Sequence, residues 1–164
     1  MTALLLDKGS IQKHDKIGLT PLHLAAGFGN VEILKKLLIK DRSAAYKVDK
    51  GGAIALHVAA LYGILDTMQE LISNCPGCCE LVDNKGWNVL HYATKSKNRN
   101  AVRLVLRNPL FGNLINEKDE KGNTPFFQAA SKRSFIIHPK VDVLVFNNDN
   151  HNAADIVNPL SLHP

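Results

Sequence analysis

Long apolar runs are missing from this 164-residue chain, which nowhere reaches the run of about 18 apolar residues that a membrane-crossing helix requires. Its opening, MTALLLDKGS, has neither the charged leader nor the length of apolar core of a secretory signal. As given, the chain is expected to be soluble and cytoplasmic. Cysteine is scarce as well. Cys75, Cys78 and Cys79 crowd into CPGCC, whereas a secreted disulfide framework spreads an even number along the chain. A reducing compartment fits this better. The sequence also lacks a Gly-rich phosphate loop, a dinucleotide fingerprint and paired metal-binding carboxylates. Acidic residues vanish between Asp83 and Glu117, a stretch that holds Lys85, Lys95, Lys97, Arg99, Arg103 and Arg107. What is present is ordinary for a folded protein: 45% hydrophobic and 21% charged side chains, enough to bury a core and to exclude disorder throughout. The net charge of +5 permits attraction to anionic partners and says nothing about fold.

The segment GLTPLHLAAGFGN from Gly18 returns as GAIALHVAALYGI from Gly52 and as GWNVLHYATKSKN from Gly86. His23, His57 and His91 recur at one fixed interval, and Phe127 takes the same place in a fourth, slightly longer step. A second marker keeps the same spacing: DKIG at Asp15, DKGG at Asp49, DNKG at Asp83 and DEKG at Asp119, each an acidic-polar turn closed by glycine. After each turn comes a helix start. Thr20, Asn88 and Thr124 can cap a helix with a side-chain oxygen, and Pro21 and Pro125 suit the first helical position. Ile54 and Ala55 offer no such cap, so the second start is weaker. The doublets Ala25-Ala26, Ala59-Ala60, Ala93-Thr94 and Ala129-Ala130 keep one face of this first helix thin.

A second helix follows with an apolar stripe held in register: Leu34, Met68, Val102; Leu37, Leu71, Val105; Leu38, Ile72, Leu106. One turn, short helix and longer helix cannot bury that stripe alone, so the units must stack into a solenoid. TPLHLAA, in a unit of about 33 residues, resembles the ankyrin repeat. The resemblance implies an all-α ankyrin solenoid of helix-turn-helix units with hairpin-like tips. It also implies that Thr20 and His23 form hydrogen bonds fixing the turn to the first helix, with the same part for His57 and His91 beside Ile54 and Asn88. The phrases AAYKVDKGG, NCPGCCELVDNKGWNVLHYAT, DEKGNTPFFQAASK and FNNDNHNAADI are similar to the ankyrin region of plant proteins of the accelerated-cell-death and salt-tolerance type. Those proteins continue into a carboxy-terminal membrane domain and are associated with defence and stress signalling.

The expected division is a partial unit at 1–14, repeats at 15–48, 49–82 and 83–118, a degenerate repeat at 119–146 and a partial unit or tail at 147–164. From Phe127 to Asp155, its counterpart in the last unit, the interval is several positions shorter than the others, and Pro139 shortens what helix is left. ALLLDKGS reads as the second helix of an incomplete preceding unit, and AADIVNP as a short closing helix ending before Pro159. An apolar stub at Ala3 to Leu6, and the missing membrane domain of the similar proteins, make a fragment or a truncated product the expectation.

CPGCC has two readings, a structural loop or a zinc or redox site. Zinc normally takes four paired Cys or His ligands, and the nearby histidines belong to the repeat. Repetition also argues against catalysis by His23, His57 or His91, while His14, His138, His151 and His163 have no periodic nucleophile or carboxylate partner. A non-enzyme without cofactor is expected. The basic stretch after Asp83 is either a solvated helix face or a face for an acidic protein segment or anionic lipid headgroups. Specific nucleic-acid binding is not expected, because only Trp87 and Tyr92 are near to stack on bases.

Ankyrin partners dock on the turn tips and on the concave face of the first helices. Transferred here, the tips hold Lys16, Lys50, Lys85 and Lys121, and the ends of the first helices hold Phe28, Leu61, Tyr62, Lys95 and Lys132. Phe28 and Tyr62 are either partner anchors or residues packed on neighbouring loops. Trp87 is expected to pack between adjacent units. The function expected is protein–protein interaction by the cytoplasmic part of a plant stress or defence protein. The alternative is a peripheral module held to an anionic membrane by the basic third repeat.

Overall fold

The protein is represented by a computed structural model that describes residues 16–96, 98–130 and 138–157. Helices and turns make up these residues, and no strand occurs among them. Four first helices, α1 (Pro21–Gly27), α3 (Ala55–Tyr62), α5 (Val89–Lys95) and α7 (Pro125–Ala130), stack side by side. Behind the first three run the longer second helices α2 (Val31–Lys40), α4 (Leu65–Asn74) and α6 (Arg99–Arg107). The short α8 (Ala153–Val157) packs on α7 as each first helix packs on the one before it. Among the described residues no helix is long and apolar enough to cross a membrane.

The apolar register explains the stacking. Leu34, Leu37 and Leu38 of α2, Met68, Leu71 and Ile72 of α4, and Val102, Val105 and Leu106 of α6 are buried. Burial of each such side chain contributes about 1.5 to 3 kcal/mol. The alanine doublets of α1, α3 and α7 and the Ala93-Thr94 pair of α5 are buried between neighbouring first helices, where a larger side chain would force them apart.

Each second helix ends in a tight 3-10 turn that the repeat pattern does not announce: Arg42–Tyr46, Pro76–Glu80 and Pro109–Leu114. Ala44 and Ala45 are buried in the first of these, and Cys78 and Cys79 are buried at the matching place in the second. The cysteine pair thus occupies the place of an alanine pair. Prolines at the first position of the second and third turns are the local cause, since the fixed φ of proline suits the start of a helical turn and its missing N–H is not needed there.

The tips are tied together through the backbone. The N–H groups of Lys50, Asn84, Glu120 and Asn148 donate to the carbonyls of Ile17, Gly51, Lys85 and Lys121 at 3.1, 3.0, 2.9 and 3.1 Å. Within each tip one acidic or amide oxygen accepts two backbone N–H groups: Asp49 from Gly51 and Ala53, Asp83 from Lys85 and Trp87, Asp119 from Lys121 and Asn123, and Asn147 from Asp149 and His151. The closing glycine is required on two counts at Gly52, whose φ is 83° and whose added Cβ would lie 2.6 Å from the Asn84 nitrogen. In the last tip Asn150 takes the glycine place with a φ of 60°, a conformation asparagine tolerates.

The fourth repeat departs from the others. α7 has six residues, and residues 138–152 form turns without a helix. This segment is strapped to Asn116, which donates to the Lys140 carbonyl at 2.8 Å and accepts from the Asp142 N–H at 2.9 Å. Leu144 and Phe146 are left exposed. The expected stub at Ala3 to Leu6 and the stop before Pro159 lie outside the described residues. At the closing helix, Asn152 and Asp155 cap each other: the Asp155 N–H donates to Asn152 Oδ1 at 3.0 Å and the Asn152 N–H to Asp155 Oδ2 at 2.8 Å.

Candidate protein-binding face

The repeated histidines lock each tip to its helix and to the next unit. The backbone N–H of Thr20, Ile54 and Asn88 donates to Nδ1 of His23, His57 and His91 at 3.1, 3.3 and 3.2 Å. With Nδ1 accepting, Nε2 carries the hydrogen and donates forward, from His23 to the Ala53 carbonyl at 2.9 Å, from His57 to Leu81 at 3.1 Å and from His91 to Asn123 at 3.1 Å. The Thr20 hydroxyl also meets His23 Nδ1 at 2.8 Å. Ile54 supplies no side-chain cap, yet His57 makes both of its bonds. It reaches Leu81 in place of Trp87, the residue that corresponds to Ala53 and Asn123, and its ring stacks on Tyr92 with centroids 4.8 Å apart. Burial pushes the His57 pKa down to about 4 and lowers that of His91 as well.

Polar links also join the back of one unit to the front of the one before. Thr67 donates to the Ala26 carbonyl at 3.0 Å, beside the Gly29 N–H at 3.4 Å, and Asn98 to the Gly63 carbonyl at 2.8 Å, both at the carbonyl ends of first helices. Among the described residues no buried side-chain nitrogen or oxygen lacks a partner. The described scaffold behind the face therefore has its buried side-chain polar groups bonded.

In front, Phe28 and Tyr62 project from the ends of α1 and α3 with 83% and 64% of their surface exposed. Leu61 is half-buried, and Lys95 is exposed at the end of α5. Lys16, Lys50 and Lys85 are exposed at the first three tips, with Lys121 at the fourth. Lys132 and Lys97 fall outside the described residues. Leu24, which carries no mark in the repeat motif, is exposed one helical turn before Phe28. Together with Pro21, Ala25, Asn30 and Ile33 these two residues line an apolar concavity of about 270 Å³. Its signal in the sequence is the four-residue spacing of Leu24 and Phe28, which places both on one side of α1.

Trp87 lies between units, as its position after a turn glycine suggests, but it is only half-buried. Its indole N–H donates to Asp119 Oδ2 of the next tip at 3.0 Å, and its ring meets the edge of Tyr92 at 5.6 Å. The Tyr92 hydroxyl in turn donates to Asp83 Oδ2 at 2.7 Å, and burial followed by that bond raises its pKa. Over the indole hang two ammonium groups, Lys95 at 4.4 Å and Lys85 at 5.5 Å from the ring centre. On α6, Arg99, Arg103 and Arg107 are exposed four residues apart.

The chemistry of the cysteines is that of a core. All three are reduced and buried. A hydrogen bond between the two thiols, followed by burial, pushes Cys78 up, while the same bond pulls Cys79 down. Among the described residues no group of three or more His, Cys, Asp or Glu is placed to hold a metal ion.

Three overlapping stretches, residues 1–79, 36–119 and 56–155, match the family model described as ankyrin repeats (3 copies). No curated protein sequence matches the chain. Among solved structures, the complex of the predatory endopeptidase Bd0816 from Bdellovibrio bacteriovorus with immunity protein Bd3460 contains a similar chain. The likeness has a TM-score of 0.75 and 26% identity, and covers 97% of this chain and 84% of that one. With the stacked helix pairs, the bonded tips and the histidine locks, the matched stretches identify this chain as a member of the ankyrin-repeat family.

Proposed function

We propose that the chain is a protein-binding module whose tips and first-helix ends hold the partner, and that it performs no chemistry of its own. The observation that carries this reading is the row of bonded tips presenting exposed Phe28, Tyr62, Lys16, Lys50, Lys85 and Lys95 in front of a scaffold whose buried polar side chains are all bonded. A face fixed before binding loses little conformational entropy on association. Exposed aromatics anchored at their base carry a large share of interface energy. The similar chain belongs to a solved complex of two proteins, which is in keeping with the reading. The unit boundaries at 15–48, 49–82, 83–118 and 119–146 belong to the same proposal.

The finer reading places the module in the cytoplasm, in plant defence or stress signalling. It is supported by the phrases AAYKVDKGG and NCPGCCELVDNKGWNVLHYAT. Capture of a partner from a plant extract by the immobilised protein, compared with Phe28→Ala/Tyr62→Ala, tests the face. Loss of capture with an unchanged helical circular-dichroism spectrum is expected. Undiminished capture counts against it, and loss of the spectrum makes the two residues part of the core.

A second reading, a module on anionic membrane, is favoured by exposed Arg99, Arg103 and Arg107 along α6. It predicts binding to phosphatidylserine vesicles that declines steeply with salt.

A further inference from the structure

The tips segregate charge. Asp49, Asp83 and Asp119 turn a carboxylate oxygen inward onto their own backbone N–H groups, and Asp83 and Asp119 are buried. Asp83 and Asp119 commit the other oxygen to Tyr92 and Trp87. The tip lysines Lys16, Lys50 and Lys85 stand in solvent. Among the described residues one ion pair occurs, Lys35 with Glu70 on the outer helices, so no described carboxylate within pairing distance neutralises the tip lysines or Lys95. Exposed carboxylates join the ridge at Glu120 beside Lys121 and at Asp149 of the fifth tip, whereas among the described residues the tips of Lys16, Lys50 and Lys85 show none. At the third tip the cations are held in place: both Lys85 and Lys95 rest on the Trp87 indole, which is itself fixed by Asp119. A cation on an aromatic face keeps N–H donors free for an anion, with less side-chain freedom to lose.

We propose that this ridge binds an extended acidic segment of a partner protein, with one carboxylate seated between Lys85 and Lys95 above Trp87 and two more at Lys50 and Lys16. The inference rests on the protein-binding reading and names the partner's chemistry. Its spacing follows from the stack. Packed helices lie about 8 to 10 Å apart, and an extended polyproline II chain advances about 3.1 Å per residue with three residues per turn, so acidic residues at every third position face the ridge at that spacing.

Trp87 is the sole tryptophan of the chain, so its emission reports on the site alone. The probe is a labelled synthetic peptide with Asp at every third position and Gly and Ser between. The control has the same composition with its Asp residues contiguous. Saturable binding by anisotropy, with a shift in Trp87 emission and an affinity that falls as salt rises, is expected. Lys85→Gln/Lys95→Gln should weaken the spaced peptide about tenfold and Lys50→Gln about threefold, the scale of two and one exposed ion pairs. Arg103→Gln/Arg107→Gln should leave it unchanged. Lys50 touches no ring, so its variant keeps the test valid if the double variant disturbs the Trp87 cluster.

Absence of binding overturns the proposal, as does binding that ignores the spacing or these lysines. It is also overturned if phosphatidylserine vesicles bind through Arg99, Arg103 and Arg107 while the peptide does not. If the peptide fails while Phe28→Ala/Tyr62→Ala still abolishes capture of a protein partner, the acidic segment is wrong and the binding module stands. If both fail, both readings fall.

Discussion

At the scale of single residues the histidines show what a repeated motif is for. His57 is buried, accepts the Ile54 N–H and donates to Leu81, a pattern that only the neutral ring satisfies. In the unfolded chain it takes up a proton below pH 6.5, and in the folded chain only below about 4. Between these values the unfolded state binds the extra proton, so stability is fully present above pH 6.5 and is lost as pH falls toward 4. The loss from His57 approaches about 3 kcal/mol, and His91 shifts in the same direction. Urea midpoints should therefore drop between pH 7 and pH 4.5, and His57→Gln should flatten that slope while lowering stability at pH 7.

Gly52 gives a second residue-scale outcome. Gly52→Ala combines a positive φ with a clash against the backbone of the next tip, and should cost about 2 to 4 kcal/mol. Gly112→Ala, with nothing within 4 Å, should change the urea midpoint little. The glycine of each turn was legible from spacing, and the Thr20–His23 pair from the resemblance carried by TPLHLAA. The switch of His57 from residue 87 to Leu81 was not, because no repeated motif marks Leu81 and only the folded stack brings its carbonyl to the ring.

At the scale of elements, caps and turns decide where helices start and stop. Asn88 is buried, caps α5 by accepting from Leu90 and His91, and donates to the Leu114 carbonyl of the following turn. Asn88→Ala removes the cap and leaves that carbonyl only the long bond from the Glu117 N–H at 3.4 Å, a loss of about 2 kcal/mol. Thermal unfolding should shift down by about 5 to 10 °C. The second-helix stripes were readable because a buried face must repeat with helical period. The 3-10 turns were not, since segments so short carry no periodicity and only Pro76 and Pro109 hint at them. Their register favours the structural reading of CPGCC: Cys78 and Cys79 stand buried where Ala44 and Ala45 stand. Cys78→Ala/Cys79→Ala should keep the helical spectrum at a cost of about 1 to 2 kcal/mol, and a chelator should leave the melting curve of the parent protein unchanged.

At the scale of the whole molecule the protein is a row of nearest-neighbour contacts. First helices touch first helices, tips bond to tips, and Thr67 and Asn98 tie each back helix to the preceding front one. The sequence shows this order wherever the regular interval holds, and loses it after Ala130, where the missing residues remove the stripe that would mark a second helix. The exposed face was legible in part. Phe28, Tyr62 and the tip lysines follow from the motif, whereas the union of Trp87 with Lys85, Lys95 and Asp119 joins residues of two successive units and needs the fold to bring them together. Under the proposed function, what the stack offers a partner is one continuous front.

Amide hydrogen exchange of the protein with and without its captured partner tests that claim most directly. Slowed exchange is expected in the tips and at the ends of α1, α3 and α5, with α2, α4 and α6 unchanged. Slowed exchange confined to the outer helices, around Ile39 or Arg103, would contradict it.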